Sequence, residues 1–467
     1  MPFIFYDTET TGAEKEFDQI LQFAAIKTDD DLNETDRFEN RCRLLPYIIP
    51  APKALLTNRI NPELLADPQL PSHYEAIRRT REKLLAWSPA IYIGYNSIEF
   101  DENLLRQAFF KTLQPIYLTN TNGNARADVM RMAQAASIYA PNSITVPISD
   151  KGKSTFKLDR IAPANGFDHA NAHEAMSDVE ATIYVARLIK ERIPDLWGTM
   201  LNTARKSEVH RFLEENLTVS FSDYNRGRSF TCLVTLAGVN PDYDARIGVF
   251  DLAYDPGPYL DMTSDQLIEA LEGKPRVIRA VRANAQPMLM PAATSPKLPS
   301  MEGISENEIQ RRAGLIRKNE QFRLNVGKAL AGQYEDKKPS PDVEGRIYDG
   351  FPTNADERLM VKFHDAPDWG QRVEILNQIK DERYKLLGTR LIYSEQPSAL
   401  PADVQKEMRR WVAERLLSDD PDAKWETIPM AIKEAEELKA EADQQQGLFL
   451  DQIKSFLNGL SNQLAQG

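Results

Sequence analysis

Cysteine is scarce in this chain. Cys42 and Cys232 are its two cysteines, far apart in 467 residues, with no C-x-x-C pair and no cysteine/histidine ligand spacing. A disulfide framework is excluded, no zinc site is suggested, and a reducing compartment fits best. Long apolar runs are also missing. No stretch approaches the ~20 apolar residues that span a bilayer, and MPFIFYDTETTG lacks the basic start and extended apolar segment of a secretion signal. The expectation is a soluble cytoplasmic protein with no membrane partner. Positive charge is in deficit, 57 Lys and Arg against 69 Asp and Glu, for a formal net charge of −12. Taken alone this argues against nucleic acid, whose phosphates are met by Lys and Arg.

Distribution qualifies that sum. Much of the acid lies toward the C-terminus, in DDPDAKWE and KEAEELKAEAD. Basic residues recur in the middle: Arg205, Lys206 and Arg211, then Arg226 and Arg228, then Arg276, Arg279 and Arg282, then Arg311, Arg312, Arg317 and Lys318. Each taken singly reads as solvated surface charge, and the set is a candidate to line a groove.

The apolar share of 42% is ample for packed cores, and 467 residues imply two to three domains. The first part alternates strands (Phe3–Tyr6, Ile20–Lys27, Ala90–Tyr95) with helical patterns in EAIRRTREKLLAW and DENLLRQAFFKTL, which predicts an α/β layer fold. Pro194 stops the helical run EATIYVARLIKERI. From about Asn216 the texture turns to short β pieces with Asn-Arg-Gly and Asn-Pro-Asp turns, which predicts a small barrel or sandwich. PMLMPAATSPKLPSMEG reads as a proline-rich connector, and from Ser305 the pattern is helical. The apolar stripe Phe449, Leu450, Ile453, Phe456, Leu457, Leu460 and Leu464 reads as a packing face.

Four acids and a histidine carry the chemistry: Asp7 and Glu9 in FYDTETTG, Asp101 in YNSIEFDENLL, His173 and Asp178 in NAHEAMSDVEAT. Two residues apart on a strand, Asp7 and Glu9 leave the same face. Asp101 reads as a helix N-cap that also serves as a ligand. His173 and Asp178 are five residues apart, about 140° on a continuous helix, so Asp178 is expected inside the helix and His173 at its first turn or just before it. Singly each has an ordinary structural explanation. Together, carboxylates that repel one another are best gathered around divalent metal. Two cations would stabilise the attacking and leaving oxygens of phosphoryl displacement, and histidine is suited to take a proton from water near neutral pH.

D-x-E, N-x-x-x-F-D and H-x-A-x-x-D in this order resemble the DEDDh 3′–5′ exonucleases. GKSTFKLDRIAPANGFDHANAHEAMSDVEAT, YDGFPTNAD and DERYKLLGTRLIY extend the likeness to the bacterial exodeoxyribonuclease I family over essentially the whole chain. The resemblance implies a ribonuclease H-like exonuclease domain (1–193), an SH3-like β-barrel domain (194–346) and an α-helical C-terminal domain (347–467). It implies Mg²⁺, two ions with Mn²⁺ as a substitute, on Asp7, Glu9 and Asp178, with Asp101 completing the acidic set and His173 activating water. Phe156 would stack on a base, Lys157 would grip phosphate, and Glu9, Arg106, Tyr117 and Arg131 would also touch the strand. Lys157 stands where the family commonly has Arg, which keeps the charge and loses the bidentate fork. The expected activity is 3′-to-5′ removal of 5′-mononucleotides from single-stranded DNA in repair and recombination. Expected partners are that DNA and the acidic tail of single-stranded DNA-binding protein, the latter without a mapped site because the chain reads YAPNS where a basic residue would precede the proline. A monomer is the simpler expectation. Competing readings are a small RNA trimmer of the same superfamily, disfavoured by the extra domains, and a non-catalytic binder, which has no use for clustered carboxylates.

Overall fold

The computed structural model describes residues 1–169, 172–225, 227–333 and 339–466. Five strands open the chain: β1 Phe3–Thr10, β2 Ile20–Thr28, β3 Glu34–Arg41, β4 Ile91–Gly94 and β5 Ala125–Asp128. They form one sheet in the order β3-β2-β1-β4-β5, with β4 parallel to β1 and to β5, and β2 antiparallel to β1 and to β3. Apolar residues alternate along β1, so each face of the sheet has its own core. Phe3 and Phe5 pack with helices Val129–Tyr139 and Ala175–Arg192, while Ile4 and Tyr6 pack with helices His73–Trp87 and Asp101–Lys111. Gly94 ends β4 where a Cβ would lie 2.4 Å from Ser97 Cβ and 3.0 Å from the Tyr6 carbonyl, so only glycine lets the chain turn this close to β1.

Pro194 ends one helix and, as a first-turn proline, begins the next, Pro194–Asn202. The second sheet comprises β6 Val219–Asn225, β7 Arg228–Val239, β8 Arg246–Asp251, β9 Ile278–Arg282 and β10 Met288–Pro291, antiparallel throughout, in the order β10-β6-β7-β8-β9. Among the described residues the end strands β9 and β10 do not pair, so the barrel or sandwich expected here is an open sheet. The supposed proline-rich connector contains β10, whose Met288 and Met290 are buried in the first sheet's core. Helices Glu306–Lys318 and Glu320–Gly332 cover one face around Phe250 and Phe322.

The later helices pack on the first sheet's own helices. Tyr74, Phe110 and Leu113 share a core with Phe363, Tyr384 and Leu391, while Leu55 and Leu65 share another with Leu450, Ile453 and Leu457 on helix Gln444–Gln466. The predicted C-terminal stripe is therefore a packing face. Glu344 is buried at this junction between Arg390 (3.0 Å) and Arg415 (3.4 Å).

Candidate active site

Asp7 and Glu9 continue the Phe3/Phe5 face of β1 toward its C-terminal end, where an α/β fold commonly builds its site. A register shift between Glu9 and Thr10 marks an irregularity at that end of the β1–β2 ladder. Asp178 comes from helix Ala175–Arg192 on the same face. Asp7, Glu9 and Asp178 each offer an oxygen, and these oxygens all lie within 4.8 Å of one another.

Asp101 reaches the cluster from the opposite side. Its helix packs on the Ile4/Tyr6 face, and its Oδ1 accepts from Thr8 N–H at 3.1 Å and Thr8 Oγ1 at 2.5 Å, so the carboxylate is anchored to the residue between Asp7 and Glu9. The cap expectation is corrected: Phe100 occupies the N-cap position and Asp101 is the first helical residue.

The electrostatics are those of an anion-crowded site. Burial and the charges of Asp101, Asp178 and Glu9 raise the Asp7 carboxyl well above the ordinary carboxylate range. Burial, then Asp178, Asp101 and Glu174, lift Glu9 to about 9, and burial lifts Asp101 to about 7 against the opposing Thr8 hydrogen bonds. Such a set holds its protons unless cationic charge is supplied, and oxygen-only donors at this spacing suit a hard divalent ion.

His173 immediately precedes the N-cap Glu174, as predicted, is exposed, and has φ 68°, the left-handed region that a non-glycine residue seldom adopts. Its backbone N–H donates to Asp178 Oδ1 at 3.3 Å. The histidine whose ring meets that carboxylate is His169, with Nε2 2.7 Å from the same oxygen and a nearly fully buried side chain. Sequence reasoning missed His169, although the doubled histidine of HANAH was its signal. It missed Asp128 as well, a buried residue at the end of β5 that caps the next helix and accepts from the Asn96 and Ile98 amides, fixing the turn that leads to Asp101.

The proposed strand contacts fare unequally. Lys157 is exposed, but Phe156 is buried edge-on against Tyr224, so the stacking role assigned to it is withdrawn: its ring belongs to the core, and it anchors the segment that presents Lys157. Arg106 pairs with Glu102 at 2.8 Å and lies 4.9 Å over the Tyr117 ring, whose other neighbour is Phe351. Arg106, Arg126, Arg282, Tyr243 and Tyr348 line a cavity of about 340 Å³ to which all three parts of the chain contribute. Tyr348 and Phe351 are 56% and 78% exposed, aromatic surface that the YDGFPTNAD motif did not single out for contact.

Of the basic residues read as candidates to line one groove, Arg279 and Arg282 are parted by the fold. Both lie on β9, where i and i+3 leave opposite faces: Arg279 turns to Asp251 (3.6 Å) and the Phe230 ring, and Arg282 turns to the cavity. Most of the wider basic set is taken up in ion pairs, Lys206 with Asp244, Arg211, Arg311 and Arg312 with Glu208 or Glu308, and Arg317 with Glu214. Arg226 lies outside the described residues.

A 3-2-1-4-5 sheet with carboxylates from β1 and two flanking helices defines a nuclease of the ribonuclease H-like exonuclease class. The model of the exonuclease family matches residues 4–186, and that of the exonuclease I C-terminal domain matches 341–460. Exodeoxyribonuclease I of Escherichia coli (strain K12) is 30% identical over 376 residues, 77% of this chain and 78% of that protein, and the Haemophilus influenzae enzyme of the same name is 28% identical over 78% and 80%. The chain belongs to the exodeoxyribonuclease I family. The fold agrees end to end with E. coli exonuclease I in complex with a dA16 oligonucleotide, TM-score 0.82 at 24% identity over 98% of this chain and 99% of that one. Exonuclease I from Methylocaldum szegediense aligns with the same TM-score of 0.82 at 23% identity over 98% and 99%.

Proposed function

We propose that this chain is a Mg²⁺-dependent enzyme that degrades single-stranded DNA from the 3′ end, releasing 5′-mononucleotides, in cytoplasmic repair and recombination. The observation that carries the reading is the trio of carboxylate oxygens within 4.8 Å at the end of β1. Asp7, Glu9 and Asp178 would hold the metal, two Mg²⁺ ions or Mn²⁺ in their place. When bound, such ions supply charge stabilisation to the attacking and leaving oxygens of an in-line displacement. Asp101 fixes Thr8 and with it the strand between the two β1 ligands. His173, exposed beside Asp178, takes the proton of the attacking water.

The single-strand assignment draws on the cavity and its surroundings. Tyr243 and Tyr348 line the cavity with Arg106 and Arg282, and Arg106 lies over Tyr117, which packs against exposed Phe351, the combination of rings and guanidinium groups that binds unpaired bases and backbone together. Exposed Lys157 would add a phosphate contact. Solved complexes of E. coli exonuclease I with dA16 and dT13 oligonucleotides and with ssDNA support the same substrate, and a solved structure of SSB/exonuclease I supports that protein as a partner. We read the chain as a monomer of three domains, 1–193, 194–346 and 347–467, the open second sheet being the counterpart of the family's SH3-like unit.

The test is incubation of 3′-labelled and 5′-labelled single-stranded DNA, duplex DNA and RNA with protein and Mg²⁺ or EDTA. Immediate release of 3′ label as mononucleotide from single-stranded DNA, abolished by EDTA, is expected. Rapid loss of RNA with DNA spared would transfer the assignment to an RNA trimmer.

A further inference from the structure

Glu99 stands two residues before Asp101 and was not part of the catalytic motif as read. Its carboxylate contacts two arginines from different parts of the chain. Arg131 Nη2, on helix Val129–Tyr139 beneath the first sheet, lies 3.2 Å away, and Arg282 Nη2, at the end of β9, makes a closer contact with the same oxygen. Burial would raise this carboxyl, but the Arg282 and Arg131 charges, with Lys15 behind them, outweigh it and hold Glu99 below the ordinary glutamate value. Glu99 and Arg282 both line the 340 Å³ cavity that carries the aromatic surface. Their side chains are 40% and 60% exposed, so the contact is open to exchange with a ligand, whereas Arg131 is held at 16%.

Two guanidinium groups converging on one singly charged oxyanion make the arrangement that receives a phosphodiester. A nucleic-acid strand entering this cavity meets those donors already occupied. We propose that Glu99 is an internal phosphate mimic that occupies Arg131 and Arg282 in the free protein and is displaced by a backbone phosphate of single-stranded DNA, thereby weakening and de-sensitising the protein's grip on the strand. The inference rests on the single-strand reading above. It makes Glu99 a residue that sets affinity, and it gives the chain a built-in preference for strands long enough to place a phosphate at this position as well as at the metal site. An ordinary surface ion pair between two parts of a chain would have no such effect on DNA.

The experiment measures binding of a 5′-fluorescein-labelled dT16 oligonucleotide by anisotropy, in EDTA to prevent cleavage, from 50 to 300 mM KCl. Wild type, Glu99→Gln, Arg282→Gln and the double variant are compared. Glu99→Gln is expected to bind roughly 5–30-fold more tightly, and each arginine freed to meet a phosphate steepens the slope of log Kd against log salt by about 0.7. Arg282→Gln is expected to weaken binding several-fold more in the Glu99→Gln background than in wild type. Glu99→Gln binding within twofold of wild type with the same slope, binding more weakly, or binding more tightly without coupling to Arg282 each overturns the proposal. Wild type that neither binds nor degrades the oligonucleotide defeats the functional reading instead, so the two failures are distinguishable.

Discussion

Glu9 carries its proton well above the pH at which a free glutamate loses it, and this makes the pH dependence of Mg²⁺ stabilisation calculable. In the metal-free fold its carboxyl is raised from 4.5 to about 9 by burial and by Asp178, Asp101 and Glu174. The unfolded chain releases that proton near pH 4.5 while the folded chain keeps it. The stability this group contributes is therefore complete below pH 4.5 and is lost as pH climbs toward 9. Each unit in that window removes about 1.4 kcal/mol, so between pH 5.5 and 8.5 Glu9 alone accounts for roughly 2–4 kcal/mol once local relaxation is allowed for. Mg²⁺ binds the ionised carboxylates and competes with those protons, so its stabilising effect grows over the same window. At ~2.1 cal/mol/K per residue, a chain of this length that unfolds as one unit shifts by ~1 °C per kcal/mol. The Tm gain from 10 mM Mg²⁺ over EDTA, read by scanning fluorimetry, should thus be larger at pH 8.5 than at pH 5.5, with ~2–4 °C of the difference owed to Glu9 and lost in Glu9→Gln, the remainder belonging to Asp7 and Asp101. A gain that is equal at the two pH values, larger at 5.5, or undiminished in Glu9→Gln refutes the reasoning.

His173→Ala should retain oligonucleotide binding by anisotropy while single-turnover cleavage falls about 10²–10⁴-fold; near-normal cleavage removes it as the base. Phe351→Ala should weaken dT16 binding by ~1–3 kcal/mol through lost base stacking, with thermal stability unchanged because the ring is 78% exposed; unchanged affinity means that no base rests there. Glu344→Gln removes the one carboxylate between buried Arg390 and Arg415 and should destabilise the protein by ~3–5 kcal/mol in urea unfolding; a shift below 1 kcal/mol contradicts the burial of the pair. In Gly327→Ala a Cβ would meet the Val239 carbonyl at 2.4 Å, so a loss of ~1–3 kcal/mol is expected in the same assay; no loss would show that the helix does not press on β7.

What could be read from the chain was whatever a local period or a short motif encodes. The alternation of Phe3, Phe5, Asp7 and Glu9 put both acids on one face because a strand has period two, and the packing stripe of the last helix followed from its apolar spacing. β3 was invisible because ETDRFENR is an exposed, charged edge strand with no apolar pattern. β10 was hidden because MLMP sits among prolines, and its burial depends on a core made by helices Val129–Tyr139 and Pro194–Asn202, far earlier in the chain. The arginines of KPRVIRAVRAN were grouped as one basic set, which the strand divides, since residues three apart on a strand leave opposite faces. Asp101 showed its motif but not its bonding, since Thr8 is 93 positions away. Asp128 and Glu99 meet their partners only through the fold, and nothing in their immediate neighbours announces it, whereas His169 left one local sign, the second histidine of HANAH.

The pairing of Leu55 and Leu65 with Leu450, Ile453 and Leu457 has a consequence for synthesis. The segment bearing Asp7 and Glu9 is among the first to leave the ribosome, yet the apolar surface of Leu55 and Leu65 is covered by Val412, Leu416, Ile428 and Ala431 and finally by helix Gln444–Gln466, made nearly four hundred residues later. At ~5–20 residues per second that interval is roughly 20–80 s. Until then the nascent chain presents apolar surface to its surroundings, and a chain interrupted before helix Gln444–Gln466 leaves that core short of Leu450, Ile453 and Leu457 and open to proteolysis.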